Sequence, residues 1–328
     1  LPFIPSDKYD VAQRCEDIFS IQATGLYTRL KSIGCKDVVL GLSGGLDSTL
    51  ALIAAVKAFD MAGFDRKGIH TITMPCFGTT SRTKNNAHLI AEAYHVSIKE
   101  IDITKSVRQH FEDILHDESI HDITYENAQA RERTQVLMDY ANSVNGIVLG
   151  TGDLSELALG WATYNGDHMS MYGLNASIPK TLIRYLIAFE ISNVDDENLK
   201  SALTDILNTP VSPELLPPEN GEISQKTEDN VGPYELHDFF LYYFVRYSFS
   251  PSKILRIALK TFNGIYDDVT IKKWLGVFVK RFISQQFKRS CLPDAPKVGS
   301  VALSPRGDLR MPSDACANLW LEDFNKEL

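Results

Sequence analysis

The chain has 328 residues, 44% of them hydrophobic and 23% charged, which is ordinary for a globular protein with a sizeable core. Its formal net charge of −9 argues against a general attraction to nucleic acid or to an anionic membrane surface. No apolar run reaches the ~18 residues of a membrane-spanning helix, and the first residues do not resemble a signal peptide. The five cysteines are scattered without zinc spacing, so we expect reduced thiols and a cytoplasmic protein.

A leading amphipathic helix is predicted from Tyr9 to about Ser32, because apolar residues recur at helical spacing and Gly34 follows them. Four apolar runs beyond it have the length and composition of strands, and they lie at 38–42, 69–75, 96–103 and 147–151. Helical patterns separate these runs, at 48–62, 82–94, 105–116 and 125–144. Strands that alternate with helices of this length predict an α/β fold with a doubly wound parallel sheet flanked by helices.

The second half of the chain is predicted to be mainly helical. A helix is expected from about 180 to 192, and the acidic segment 192–198 is interpreted as a solvated connection. Residues 208–233 contain five prolines and predict a long loop, which in a compact domain is a lid or disordered. Helical periodicity returns at 234–290 as a helical C-terminal extension, and 291–328 is predicted to be an extended tail.

A glycine-rich turn, GLSGGLDST at 41–49, connects the first predicted strand to the helix after it. Ligands of open α/β sheets bind at the carboxyl ends of the strands, so this turn should face a crevice together with those after Met74 and Leu149. The turn lacks the lysine of a Walker A loop. The bare amides of Gly44 and Gly45, at the N-terminus of a helix, instead predict an anion site.

Asp47 lies within this turn, where a carboxylate would repel phosphate groups unless a metal ion were bound between them. We therefore interpret Asp47 as a ligand of Mg²⁺ that bridges the phosphates, with Ser43 and Ser48 as hydroxyl donors beside it. The simpler alternative is that Asp47 and Ser48 only cap the helix while the glycines only turn the chain.

A second pair of carboxylates follows the fourth predicted strand, in LGTGDLSELALGWATYNGD at 149–167. The spacing of Asp153 and Glu156 is that of a capping box, so by itself it predicts a helix cap. Because the segment begins at the carboxyl end of a strand, we expect Glu156 to face the same crevice as Asp47. Two carboxylates from separate loops suit magnesium-assisted transfer of an adenylyl group.

The helix predicted at 125–144 carries Asn127 and Arg131 four residues apart, and therefore on one face. Both side chains could contact a single ligand there. The alternative is an exposed polar face with surface ion pairs among its neighbours Glu126, Glu132 and Arg133.

Five motifs occur in order along the chain: SGGLDST, ENAQAR, VLGTGDLSELALGWATYNGD, PKTLI and QFKRSCLP. Together they closely resemble the synthetase domain of bacterial glutamine-dependent NAD synthetases, and the resemblance runs over almost the whole chain. It implies a pyrophosphate-loop fold, like that of the adenine nucleotide alpha hydrolases. The turn SGGLDS alone is shared with amidating enzymes of the GMP and asparagine synthetase types, which stay open as an alternative. A module that binds ATP without turnover is a second alternative.

The resemblance implies a two-step reaction. ATP with Mg²⁺ adenylates the nicotinate carboxylate of deamido-NAD and releases pyrophosphate, and ammonia then displaces AMP to give NAD. Asp47 and Glu156 would be catalytic and would bind the metal. The residues that match the family's ATP site are Gly41, Leu42, Ser43, Gly44, Gly45, Leu46, Asp47, Ser48, Thr151, Lys180 and Ser212. Those that match its deamido-NAD site are Asn127, Arg131, Glu156, Trp161, Ala162, Thr163, Tyr164 and Lys288.

The family pattern also bears on partners and domains. Its glutaminase domain, which is nitrilase-like, is missing from this sequence and is expected in front of Leu1, and a homo-oligomer is implied. We divide the chain into a linker and helix at 1–34, the NAD synthetase ATP-pyrophosphatase domain at 35–290 and the tail at 291–328.

Two observations weigh against parts of this assignment. Without the resemblance, Lys180 and Lys288 would be interpreted as solvated surface charges. The small ammonia-dependent relatives carry a lysine and a further aspartate around 164–171 that are absent here, so the predicted substrate contacts of 161–171 are supported by fewer matching residues.

Overall fold

A five-stranded parallel sheet in the order β3-β2-β1-β4-β5 lies at the centre of the protein. The structure is a computed structural model that describes residues 1–5, 7–209, 212, 215–217 and 227–325. The strands are β1 Val38–Gly41, β2 Ile69–Thr73, β3 Ser97–Glu100, β4 Ile147–Gly150 and β5 Tyr172–Gly173. Val38 of β1 is in register with Ile69 on one side and Ile147 on the other. The α/β prediction and all four predicted strands are confirmed. The two-residue β5 is too short to give a sequence pattern.

Helices cover both faces of the sheet and continue beyond it. They are α1 Lys8–Ile33, α2 Leu46–Ala62, α3 Ser81–Ala93, α4 Thr104–Asp113, α5 Ile123–Ser143, α6 Leu154–Leu159, α7 Lys180–Asn193, α8 Glu197–Asn208, α9 Thr227–Val231, α10 Tyr234–Leu241, α11 Pro251–Thr261, α12 Asp268–Ser284, α13 Gln286–Arg289 and α14 Asn318–Asn325. In the described part of the chain, none of them is both long and apolar enough to cross a bilayer. All five cysteines are free thiols, as expected.

Three predictions about the second half need correction. The acidic segment 192–198 is not only a connection, because Asp196 caps α8 by accepting hydrogen bonds from the amides of Asn198 and Leu199. The tail at 291–328 is not extended throughout, since it contains α14. The predicted loop at 208–233 contains α9, while 210, 211, 213, 214 and 218–226 lie outside the described residues.

Two hydrophobic clusters account for most of the buried apolar residues. The larger one joins α1, α2, α7 and α8 to one face of the sheet, and α5 packs on the opposite face. The second core joins α6 to the C-terminal helices α10, α11, α12 and α14. The six-residue helix α6 therefore couples the sheet to the C-terminal extension.

Helix α1 is part of the larger core. Its Leu26 is fully buried, whereas Ile21 on the same helix is 38% exposed. We expect Leu26→Ala to lower the free energy of unfolding by about 2–5 kcal/mol, because it leaves a cavity in the core. Urea denaturation measures this change, and Ile21→Ala is the matched control with a much smaller expected loss. A loss for Leu26→Ala as small as that expected for Ile21→Ala would show that packing of α1 adds little to the stability of the core.

Candidate active site

The glycine-rich turn leads from β1 directly into α2. Gly44 has a left-handed φ of 82°, and a Cβ at this position would lie 2.1 Å from the backbone oxygen of Thr83. Only glycine fits, because both the backbone conformation and the approach of α3 exclude a side chain. The N-cap of α2 is Gly45, and no described side chain caps this helix by a hydrogen bond. Asp47 and Ser48 are thus not simple helix caps.

The turns after β1, β2 and β4 converge on one cavity of about 270 Å³. The sequence predicted this convergence from the common polarity of parallel strands. The predicted residues that line the cavity are Gly41, Leu42, Ser43, Gly45, Leu46, Asp47, Ser48, Thr151, Glu156 and Ser212. Ser212 follows α8 in the chain and lines the cavity together with Thr209 and Leu215.

An acidic cluster lies at one end of this cavity. Carboxylate oxygens of Asp47, Asp153 and Glu156 lie within 4.8 Å of one another. The ammonium of Lys180 is bound among them, with Nζ 2.7 Å from Asp47 Oδ2, 2.9 Å from Asp153 Oδ2 and 2.9 Å from Glu156 Oε1. The side chain of Lys180 is only 3% exposed, so the alternative of a solvated surface charge is wrong for this residue.

Burial and like charge shape the protonation of the cluster. Burial raises the pKa of Glu156 to about 7, and the nearby carboxylate of Asp47 acts in the same direction. Burial likewise raises the pKa of Asp153. Burial opposes the charged form of Lys180, but the three carboxylates outweigh it and raise the pKa of the ammonium well above its usual value. One fixed positive charge thus faces three carboxylates that are costly to ionise together.

Asp153 was not predicted as a site residue. It does form the predicted capping box, since its Oδ1 accepts a hydrogen bond from the Glu156 amide at 2.8 Å. Its second oxygen, Oδ2, points to Lys180 instead. Capping and membership of the cluster are therefore not exclusive, because a cap uses only one of the two carboxylate oxygens. The D-x-x-E spacing was the available signal.

The acidic cluster has the chemistry of a divalent-cation site. Asp47 Oδ1 is buried and accepts no hydrogen bond from a described residue, whereas the buried Asp153 Oδ2 contacts the Lys180 ammonium at 2.9 Å. Mg²⁺ prefers carboxylate oxygens at about 2.1 Å, which places opposite ligands about 4.2 Å apart, close to the spread seen here. The three carboxylates therefore offer the oxygen donors that Mg²⁺ uses, although in this structure the Lys180 ammonium lies within 2.9 Å of each of them.

Asn175 connects the two turns that carry the carboxylates. Its buried amide Nδ2 donates to the backbone oxygens of Asp47 at 2.8 Å and Thr151 at 3.1 Å. Its Oδ1 accepts a hydrogen bond of 3.1 Å from Gln22 of α1. Both amides are fully buried. This link fixes the separation of the two turns, and its residues are too far apart in sequence for any motif to reveal it.

Asp238 of α10 supports the cluster from the other side. It accepts hydrogen bonds from the Ser155 hydroxyl and from the amide of Thr181 at 3.0 Å. Ser155 Oγ in turn accepts a hydrogen bond of 2.8 Å from the backbone amide of Lys180. Burial raises the pKa of Asp238 to about 6. The start of α6 and the start of α7 are thereby held together.

The predicted deamido-NAD residues form a second group beside the cavity. Asn127 accepts a hydrogen bond of 2.8 Å from the Thr163 hydroxyl, and Arg131 Nε donates to the backbone carbonyl oxygen of Tyr164 at 3.2 Å. Lys288 is half-buried and donates to the Ala162 oxygen at 2.6 Å. In this structure these three side chains bind the segment Trp161–Tyr164. The Tyr164 ring is 39% exposed and packs on His168 and Phe287.

The sheet order, the glycine turn at the end of β1 and the acidic cluster beside it define a pyrophosphate-loop fold. The chain belongs to the NAD synthase family, whose model matches residues 19–259. This match decides against the GMP and asparagine synthetase types that share the SGGLDS turn.

Individual relatives agree with the family match. The whole chain is 44% identical to the glutamine-dependent NAD(+) synthetase of Mycobacterium tuberculosis and covers 52% of that protein. Over 48% of its length it is 33% identical to the NH(3)-dependent NAD(+) synthetase of Trichlorobacter lovleyi, of which it covers 55%. The chain thus spans about half the length of these curated relatives.

A solved structure confirms the fold. The crystal structure of a glutamine-dependent NAD(+) synthetase from Cytophaga hutchinsonii superposes with a TM-score of 0.78 at 18% identity. The superposition covers 96% of this chain and 56% of that one.

Proposed function

We propose that the chain catalyses the ATP-dependent amidation of deamido-NAD to NAD through an adenylated nicotinate, with release of pyrophosphate and AMP. The observation that carries this proposal is the acidic cluster, which opens on a cavity beside a lysine-free phosphate turn. Membership of the NAD synthase family supports it. Cleavage between the α and β phosphates needs positive charge where pyrophosphate leaves, and both a metal and Lys180 can supply it there.

In the first step, the nicotinate carboxylate attacks the α-phosphorus of ATP, and the bond to the leaving pyrophosphate breaks. The amides of the turn at 41–48 and the hydroxyls of Ser43 and Ser48 would bind the phosphates, with Thr151 and Ser212 as further contacts of ATP. Asp47, Asp153 and Glu156 would hold Mg²⁺, which neutralises charge on the pyrophosphate when it is bound. Lys180 would add a positive charge fixed within the same cluster.

In the second step, ammonia attacks the acyl carbon of the mixed anhydride, the bond to AMP breaks, and one proton of the ammonia is lost to give the neutral amide. The segment Trp161–Tyr164, with its exposed Tyr164 ring, would bind deamido-NAD next to the cluster. Asn127, Arg131 and Lys288 would take part by holding this segment. The scheme contains no covalent enzyme intermediate, so catalysis comes from positioning and charge neutralisation.

We propose that ammonia is the nitrogen donor of this chain, either free or delivered by a glutaminase domain preceding Leu1. Relatives of about twice its length are named glutamine-dependent, and another is named NH(3)-dependent. We further propose that it acts in the cytoplasm, as its scattered free cysteines indicate, and as a homo-oligomer, as the family resemblance implies.

The nitrogen source gives a direct test. With ATP, Mg²⁺ and deamido-NAD, the purified chain should form NAD and equimolar AMP from ammonium, and none from glutamine. Quantitative chromatography of NAD and AMP measures both products. In the control reactions, the acceptor acids of GMP and asparagine synthetases replace deamido-NAD, and no AMP should form. NAD formation from glutamine would show a second site within the chain. If no AMP forms with ammonium, the result would favour the alternative of a module that binds ATP without turnover.

A further inference from the structure

We propose that Arg281, Lys288 and Arg289 are positioning residues that hold the segment 157–164, here called the substrate segment, in the form that binds deamido-NAD. The proposal rests on the proposed function. It adds Arg281 of α12 and Arg289 of α13 to the site, and both helices lie outside the residues matched by the family model.

Arg289 binds the first carbonyls of the substrate segment. The residue is 1% exposed, and its Nη1 donates to the oxygens of Leu157 at 3.1 Å and Ala158 at 3.0 Å. Its Nη2 donates to the Phe282 oxygen of α12. A helix as short as α6 leaves its last carbonyls without helical partners, and a cation there also interacts favourably with the helix dipole.

Arg281 and Lys288 bind the carbonyls that follow. Arg281 Nε donates to the Leu159 oxygen at 2.9 Å. Lys288 Nζ donates to the oxygens of Gly160 at 2.8 Å and Ala162 at 2.6 Å. Every carbonyl from 157 to 160, and that of Ala162, thus accepts a hydrogen bond from one of these three cations.

Carbonyl oxygens of the substrate segment are the main acceptors of the three cations, although Arg289 also donates to Gln286 Oε1 at 2.9 Å and Arg281 lies over the Trp161 ring. None of them forms a salt bridge with a carboxylate of a described residue. Burial lowers the pKa of Lys288 and lowers that of Arg289 to about 10, which means that burial disfavours the charged form of both side chains. Buried cations without a counter-ion are unusual, and here the carbonyl oxygens take the place of the carboxylate.

The opposite side of the substrate segment is held by α5. Asn127 and Arg131 bind Thr163 and Tyr164 there. Gly160 lies between the two sides with a φ of 59°, and a Cβ on it would come within 2.3 Å of Gln285 Cβ. The C-terminal helices therefore pack so closely on the segment that its backbone has little room for another conformation.

Lys288 is the best position for a test, because it is half-buried and its loss threatens folding less than loss of Arg289. We expect Lys288→Met to raise the KM for deamido-NAD about tenfold or more, the size expected for a lost charge-assisted interaction. The KM for ATP and the kcat should change far less. Hydrogen exchange of the amides at 160–164, measured without substrates, should become faster. Lys288→Arg should keep much of both properties, and Lys280→Met, an exposed lysine of α12, is the matched control.

The two measurements separate the possible outcomes. A raised KM with unchanged hydrogen exchange would mean that Lys288 contacts the substrate directly, and would overturn the proposal. An unchanged KM would also overturn it. If the wild-type chain forms no NAD, the proposed function fails; faster exchange at 160–164 would still support the holding role, and unchanged exchange would overturn it.

Discussion

Asp47→Asn is expected to lower the rate of pyrophosphate release by roughly 10³-fold, because a Lewis-acid metal contributes several kcal/mol and about 1.4 kcal/mol corresponds to a factor of ten. The asparagine has the same size but does not carry the negative charge that binds Mg²⁺. Glu156→Gln should have an effect of the same order, since its carboxylate lies in the same cluster.

A coupled pyrophosphate assay with ATP and deamido-NAD measures these rates. Asp139→Asn and Glu197→Gln are matched controls, because both residues are exposed and remote from the cluster. Each active-site variant should retain its fold, because it removes one of three carboxylates that share a single lysine. Pyrophosphate release near the wild-type rate in either variant would exclude the proposed metal site.

Lys180→Met is expected to lower the free energy of unfolding by about 3–5 kcal/mol, because it leaves buried carboxylates without their cation. Adenylation should be lost as well. Mg²⁺ or Mn²⁺ should restore much of the stability, since an ion that binds only the folded state stabilises it by mass action. The same metal should stabilise the wild-type chain less, because Lys180 already neutralises part of the cluster there.

Urea denaturation with and without the metal ion measures both effects. Lys200→Met is the matched control, because Lys200 pairs with the exposed Glu197 and such surface pairs contribute about 0–1 kcal/mol. If neither metal ion shifts the urea midpoint of the Lys180→Met variant, the result would argue against a cation site formed by Asp47, Asp153 and Glu156.

The sequence pattern predicted those parts of the structure that are determined by residues close together in the chain. The alternation of strands and helices indicated the parallel sheet, and the common polarity of its strands brought Asp47 and Glu156 to one cavity. The acidic segment before α8 misled the prediction, because Asp196 was counted as a solvated charge although it caps the helix.

Tertiary contacts account for the rest. The sequence assigned Lys180 to the phosphates of ATP, and only the structure shows that it also neutralises three carboxylates. The resemblance assigned Lys288 to the substrate, and the structure adds that its ammonium donates to backbone oxygens of the chain itself. Asn175 carries no charge and belongs to no motif, so its position between two turns could not be inferred from spacing.

The hydrogen bonds from Gln22 through Asn175 to the oxygens of Asp47 and Thr151 have a consequence for how mutations in this protein are interpreted. A screen scored only by loss of activity would group Gln22 with the active-site residues, although it lies on the first helix and does not line the cavity. Damage to α1 would thus resemble a defect in catalysis, and only a separate measurement of the folded fraction would distinguish the two.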